Sequence, residues 1–573
     1  MNSYGPLNIN YYHMKSNLLK SITLFTLTII FSSLCYGQTY KYEPYRMGVR
    51  PTKNVILMIP DGTSIGVVSA ARWYKYYNGG SATLSIDPYI CGTVKTHSSN
   101  APIGDSAPTT SAYMTGMPQQ TANVSIYPVA DPANDLVEVD PTMAYQPLAT
   151  ILEGAKIEKN KAVGLVVTCE FPHATPADCS AHYPRRSNYN VISSQMAYQN
   201  LDVMFGGGVS IITDDIKNHF ANKGIAYLAN DIAGFRNLNS GKAWALFKDR
   251  ELPYDLDRNP NEVPSIEEMT RKAIDILSQN SNGFFLMVEG SKVDWAAHSN
   301  DAIGCMTEYI AFDNAVAAAI EFAKKDGNTT VIVVPDHGNS GFTLGRRDLR
   351  GYDRATIDQL FANVSKYTKT GEGLENILLR ERPENIKSTI KNYTGIEITD
   401  EEQAKLLSSR NYQPENYMKV GESQNMLATL IEIMNARTYF GFTTGGHTAE
   451  EVFLAVYHPH GDIPVGMNTN IDINRYMQDL LGLQTKLPDL TKQIFAKHTD
   501  VFTNPAYKVT IDKSASEEMP VLVIKNGKKT LEIPAFKSVA YIDKQPFDLG
   551  SVTVYIVDNG TFYLPAKLID YIK

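Results

Sequence analysis

Asn54-Val-Ile-Leu-Met-Ile59, followed at once by Pro60-Asp61-Gly62, is the stretch whose reading decides the fold. An apolar run without polar alternation belongs to a strand covered on both faces, the environment of a parallel sheet between helices. In such sheets ligands bind beyond the carboxyl ends of the strands, and Asp61 stands at one. The pattern recurs. Lys161-Ala-Val-Gly-Leu-Val-Val-Thr168 leads into Phe171-Pro-His173-Ala-Thr175, Gly283-Phe-Phe-Leu-Met-Val288 ends at Glu289-Gly290, and Thr330-Val-Ile-Val-Val-Pro335 ends at Asp336-His337-Gly338. A fifth run, Phe453-Leu-Ala-Val-Tyr457, has its candidate ligand before it, in Gly445-Gly-His447-Thr448. Helical patterns between the runs, such as Ser265 to Leu277, complete the alternation expected of an α/β, doubly wound, mostly parallel sheet.

Taken singly, each strand end has a local explanation: Asp61-Gly62 and Asp336-His337-Gly338 as turns, Asp294 and His298 as an i, i+4 surface pair, His447 as a loop residue. The same chemistry at five strand ends points instead to ligands. Histidine with carboxylate suits zinc, and all-oxygen sets suit magnesium. Asp294, His298 and His447 make one zinc set; Asp336 and His337 with Asp61 make a second. Asp61, Thr175 and Glu289 make an oxygen-rich third set, with His173 nearby drawing it toward zinc or cobalt.

A second stretch, Gly104-Asp105-Ser106-Ala107-Pro108-Thr109-Thr110, runs into small residues that predict a tightly packed helix. Ser106 at its start fits an N-cap. A helix N-terminus also favours an anion, so a Ser106 hydroxyl activated by a metal is a nucleophile for phosphorus. A metal pair clamps the attacking and leaving oxygens of such a displacement. Arg185-Arg186 offers a guanidinium able to grip two phosphate oxygens, or a solvated basic pair.

The chain has 573 residues and a net charge of −8, which gives no basic face for nucleic acid. Lys15 and Lys20 before the apolar run Ile22 to Leu34, with Cys35-Tyr36-Gly37 after it, read as a signal peptide over residues 1–37. Met14 offers an alternative start. The mature protein is therefore expected to be exported, periplasmic or extracellular, without a membrane span. Cys91, Cys169, Cys179 and Cys305 allow three disulfide pairings, and buried free thiols are the preferred reading. The catalytic domain is expected over 38–504, with a helical insertion at about 345–440. The insertion carries a capping box at Thr399–Glu402 and an apolar stripe of Met426, Leu427, Leu430, Ile431 and Met434. From 505 to 573 the texture is β, with hairpin turns at Asn526-Gly527 and Asn559-Gly560, as expected of a small accessory domain.

Asp61-Gly, Asp105-Ser106-Ala, His173-Ala-Thr175-Pro-Ala, Ala-His182 followed by Arg186, Glu289-Gly through Asp294 to His298, Asp336-His337 and Gly-His447-Thr resemble the alkaline phosphatase family, in family order, over residues from about 50 to 465. The resemblance implies the doubly wound fold and hydrolysis of phosphate monoesters to inorganic phosphate. It implies Ser106 as the nucleophile forming a phosphoseryl intermediate, and Arg186 rather than Arg185 as the phosphate ligand. It also implies two zinc ions and one magnesium on the three sets above. A homodimer is a candidate assembly. The best-known bacterial members carry Asp at the position of His173 and Lys at that of Trp295, whereas animal members have His at both. The third metal is thus open between magnesium, zinc and cobalt, and Trp295 stands where a phosphate-binding group would. The rivals are a sulfatase or a phosphodiesterase of the same superfamily, or a non-catalytic phosphate- or metal-binding protein. Ser106-Ala-Pro108 begins the sulfatase motif, but Thr110 stands where that motif needs Arg, and the diesterases usually offer Thr as nucleophile.

Overall fold

In a computed structural model, which describes residues 48–411, 418 and 425–573, ten strands form one sheet. They are β1 (Asn54–Ile59), β2 (Ile90–Lys95), β3 (Ala162–Glu170), β4 (Val203–Gly207), β5 (Ala226–Ala229), β6 (Ala243–Leu246), β7 (Phe284–Glu289), β8 (Thr329–Val333), β9 (Val452–Tyr457) and β10 (Gly466–Thr469). Their order across the sheet is β10-β2-β9-β8-β1-β7-β3-β4-β6-β5. The signal peptide expected over residues 1–37 lies outside the described residues. Every residue of β1, β3, β7 and β8 is buried, as unbroken apolar runs require when helices cover both faces.

Register brings the strand ends together. Ile59 lies opposite Glu289 and Met58 opposite Val333, so Asp61, Glu289 and Asp336 emerge at one sheet edge. β9 runs antiparallel to β8, with Ala455 opposite Val333, and antiparallel to β2; the other pairings in this sheet are parallel. A reversed strand presents its amino end where its neighbours present carboxyl ends, which is why His447, before β9, joins the candidate ligands that follow the other strands. The His447–Thr448 segment is fixed there by antiparallel pairing with Gly338–Asn339.

Helices that matter to the site are α1 (Ser106–Thr115), α2 (Ala174–Ser180), α3 (Ile266–Leu277), α4 (Lys292–His298) and α5 (Ala302–Asp326). The amphipathic α3 is capped by Ser265, whose side chain accepts from the Glu268 N–H, and it buries Ile266, Met269, Ala273, Ile274 and Leu277. The insertion is closed by a two-residue stem, Thr343–Leu344 against Phe440–Gly441. It carries α6 (Gly371–Leu378), α7 (Asp400–Ser409) and α8 (Met426–Asn435). The Thr399–Glu402 capping box is present, and the stripe Met426, Leu427, Leu430, Ile431 and Met434 is buried as core.

After residue 505, a five-stranded antiparallel meander runs from Lys508 to Asp548, with its hairpin at Asn526-Gly527. A separate three-stranded sheet pairs Ala496–Lys497 and Val554–Ile556 with Thr561–Leu564, so it draws one strand from before residue 505. Cys91, Cys169, Cys179 and Cys305 are all free thiols. Among the described residues no helix is long and apolar enough to cross a membrane.

Candidate active site

The helix α1 that carries Ser106 is buried along its whole length and ends at Gly116, which takes φ +80°. Small side chains let it pack closely against α2. The N-cap position expected of Ser106 is held by Asp105, with Ser106 as the first helical residue. The Ser106 hydroxyl instead lies 3.2 Å from His337 Nε2 and 3.4 and 3.5 Å from the Asp61 oxygens. Asp105 makes no side-chain cap bond. It pairs with the Arg186 guanidinium and accepts from the Ala122 N–H at 3.3 Å.

The two histidine–carboxylate sets read from the sequence both come together. Asp294, His298 and His447 bring one ligand atom each within 4.8 Å of one another, as do Asp61, Asp336 and His337. His298 Nε2 is 3.0 Å from His447 Nε2 and 3.4 Å from Asp294 Oδ2. A carbonyl only accepts. His298 Nδ1, 2.8 Å from Gly445 O, and His337 Nδ1, 3.0 Å from Gly338 O, therefore carry protons, and in the neutral rings the Nε2 lone pairs face the centre. Gly62 lets the chain turn here at φ +58°; a Cβ on it would stand 2.2 Å from Asp294 Oδ1. Its N–H donates to Asp336 Oδ1 at 3.1 Å.

Around the third set a thiol joins in. His173, Glu289 and Cys169 converge within 4.8 Å, and the Cys169 thiol donates to Glu289 Oε2 at 3.5 Å. Thr175 is fully buried on α2, with an Oγ1 that has no hydrogen-bond partner. Cys169 was counted only among the thiols in the sequence; the signal was its place at the end of a buried strand, four residues before His173.

The crowded carboxylates Asp61, Glu289 and Asp336 are short of positive charge, and the groups around them shift accordingly. Burial, then the charges of Asp336, Asp294 and Glu289, pushes Asp61 well above the carboxylate range. Burial and Asp336 push Glu289 up to about 8. Burial would depress His337, but Asp336 and Asp294 outweigh it and raise it. Burial raises Asp336 in spite of His337. Burial acts against ionised Asp294, yet His298, His447 and His337 bring it down to about 2. His173 and His447 are each lowered to about 3, chiefly by burial, so both rings are neutral at ordinary pH, the form a metal can bind. The buried atoms Glu289 Oε1, Asp294 Oδ2, Asp336 Oδ2 and Thr175 Oγ1 lack hydrogen-bond partners. Buried oxygens of this kind are met by an ion or an ordered water, and the donor set fits divalent metals.

The two arginines part company. Arg186 is mostly buried, pairs with Asp105, and has Nη2 3.1 Å from His173 Nε2. Arg185 is half-exposed and reaches Asp558 of the C-terminal segment at 3.1 Å. Trp295 is 4% exposed and meets the His173 ring edge-on at 5.7 Å. The buried Lys292 ammonium lies 5.1 Å from the Trp295 ring centre and 3.3 Å from Glu372 of α6. His182 stands apart from the metal sets, fully buried between Ser125 O at 2.9 Å and Glu153 Oε1 at 3.2 Å, where it braces the loops behind α1. Asn339, unnoticed in the sequence, donates to Asp294 Oδ1 at 2.6 Å and orients it.

The family model for alkaline phosphatase matches residues 52–483. Among curated relatives, Alkaline phosphatase 4 of Bacillus subtilis (strain 168) is 33% identical over 476 residues, covering 80% of this chain and 95% of the relative. Alkaline phosphatase 3 of the same organism is 31% identical over 483 residues, covering 81% and 96%. The crystal structure of Thermus thermophilus alkaline phosphatase superposes with a TM-score of 0.67 at 24% identity, over 79% of this chain and 96% of that one.

Proposed function

The chain belongs to the alkaline phosphatase family and is a phosphomonoesterase, and from that premise we propose that it works through a phosphoserine on Ser106, with two zinc ions and a third metal. The observation that carries this reading is the Ser106 hydroxyl at a helix N-terminus, 3.2 Å from His337 and 3.4 Å from Asp61. Asp294, His298 and His447 would hold one zinc, and Asp61, Asp336 and His337 the other. Glu289, Thr175 and His173 would hold magnesium or a softer ion. Bound there, divalent cations supply Lewis acidity, which lowers the pKa of a hydroxyl or water and neutralises a leaving alkoxide.

The chain's own groups do the rest. Ser106 Oγ forms the bond to phosphorus as the ester P–O bond breaks and the alcohol departs. Arg186, fixed by Asp105, holds two non-bridging oxygens in its guanidinium fork. The unpaired N–H groups of α1 favour the dianion. Water then attacks phosphorus, restoring Ser106 and releasing inorganic phosphate. The α4 segment, pinned by Asn339 on Asp294, keeps Trp295 against His173 beside this anion. All proposed catalytic groups fall between Asp61 and His447, so the β segment from 505 supplies none. The pattern of residues 1–37 supports export, with the mature chain starting near Gln38.

The test is p-nitrophenyl phosphate hydrolysis at alkaline pH, with and without a chelator, beside p-nitrophenyl sulfate and bis(p-nitrophenyl) phosphate. Chelator-sensitive monoester turnover, with covalent phosphate on the Ser106 peptide after acid quenching, is expected. Faster sulfate or diester turnover, or no label on that peptide, refutes the mechanism.

A further inference from the structure

Cys169 is the one group at the third set that the mechanism leaves unused, and the backbone fixes its place. Val167 of β3 lies opposite Glu289 of β7 in parallel register, while the pairing of β3 with β4 shifts register between Val166 and Glu170. A strand irregularity of this kind re-aims a side chain. The Thr168 and Cys169 N–H groups both donate to Ser291 Oγ at 3.1 Å, and the Ser291 N–H donates to Thr168 Oγ1 at 3.0 Å. These bonds clip the end of β3 to the loop that follows Glu289.

Cys169 Sγ, a His173 ring nitrogen and a Glu289 oxygen thereby lie within 4.8 Å of one another. That is about the span one divalent ion bridges when each ligand sits about 2.0–2.3 Å from it. All three residues are buried. Sγ stands 3.5 Å from Glu289 Oε2, and Glu289 Oε1 has no hydrogen-bond partner. The donor types discriminate between ions. Magnesium takes oxygen ligands and keeps several waters, whereas thiolate beside imidazole belongs to zinc and softer ions.

We propose that Cys169 is a ligand of the third metal, which makes this a thiolate–imidazole–carboxylate site that selects zinc, or cobalt in its place, over magnesium. The inference rests on the phosphomonoesterase reading above for the presence of a third ion, and it names the donor that decides which ion is held. On coordination the thiol gives up its proton and Sγ bonds the ion as thiolate. Glu289 supplies the second negative charge and His173 a neutral nitrogen. The sets of Asp294, His298 and His447 and of Asp61, Asp336 and His337 contain no sulfur, so a sulfur–metal signal reports the third site alone.

The experiment titrates metal-free protein with cobalt(II) and records the near-ultraviolet sulfur-to-cobalt charge-transfer band. It compares the wild type with Cys169→Ser, Cys169→Ala and single serine variants of Cys35, Cys91, Cys179 and Cys305. The band is expected in the wild type, absent from both Cys169 variants and retained in the other four. Zinc retention at the third site against excess magnesium, read by equilibrium dialysis, should weaken about a hundredfold in Cys169→Ser, since disturbing only a ligand's hydrogen-bond partner already costs about 10–100-fold. A wild type without the band, a band that survives loss of Cys169, or an unchanged preference for zinc over magnesium overturns the proposal. If neither Cys169 variant folds, the wild-type band and its survival in the other four variants assign it to Cys169 by exclusion, and its loss in one of those four overturns the assignment. Turnover of p-nitrophenyl phosphate separates the two readings: turnover without the band defeats this assignment alone, and the band without turnover defeats the phosphomonoesterase reading while leaving Cys169 as a metal ligand.

Discussion

Replacing Arg186 by alanine removes the one guanidinium that the structure sets between Asp105 and His173. A charge-assisted hydrogen bond contributes about 1.5–3 kcal/mol, and a forked contact makes two of them. Loss of about 3 kcal/mol or more in phosphate affinity follows, at least about a hundredfold in the inhibition constant of inorganic phosphate. The effect has a second source of the same sign. Burial acts against ionised Asp105, and the Arg186 charge is the first influence that lowers it; without Arg186, that carboxylate stands unpaired beside the incoming dianion. Arg185→Ala is the control, since its half-exposed pair with Asp558 belongs to a class worth about 0–1 kcal/mol, and to folding rather than to phosphate. The assay is competitive inhibition of p-nitrophenyl phosphate turnover by inorganic phosphate in both variants, with circular dichroism to establish folding. Equal inhibition constants in the two variants would refute the assignment of the fork to Arg186.

Ser106→Ala should lose most turnover while keeping its metals, since the covalent route is gone and the ligand sets are intact; wild-type turnover in the steady state would return Ser106 to a structural role. Stripping the metals with a chelator should make stability fall with rising pH. Glu289 goes from about 4.5 in the unfolded chain to about 8 in the folded apo-protein. Its contribution is therefore fully present below about pH 4.5 and is lost as pH rises through about 8, a matter of a few kcal/mol. The lowered His173 and His447 act in the opposite direction only below about pH 6.5, so melting curves at pH 7, 8 and 9 test this, and an apo-protein that melts higher at pH 9 than at pH 7 contradicts it. His173→Asp should tighten the magnesium dependence of activity about tenfold by adding a carboxylate to Glu289 and Thr175. Trp295→Lys should lower the inhibition constant for phosphate and also the melting temperature, because the new ammonium would stand near the buried Lys292. Unchanged constants in both variants would mean that neither residue tunes the site.

The parts of this molecule that were legible in its sequence are those where one physical requirement dictates the residue types. β1, β3, β7 and β8 had to be apolar throughout because both faces are covered, and ligands had to follow them because that is where the sheet edge opens. Strands under weaker demands left no such trace: β5 is half-exposed along its length and β2 has a single buried residue. Strand direction is not written in composition at all, so the reversal of β9 surfaced in the sequence only as an oddity, a ligand before the strand instead of after it. The roles of Asp105 and Cys169 were hidden for a different reason. Each residue has a common local use, helix cap and thiol, and only three-dimensional proximity to Arg186 and to Glu289 diverts it from that use. Asp105 gives up the capping bond because a buried guanidinium is the stronger partner for a carboxylate. That choice places a fixed cation next to the first residue of α1, so the helix that buries ten side chains to hold Ser106 also aligns the group expected to meet the phosphate.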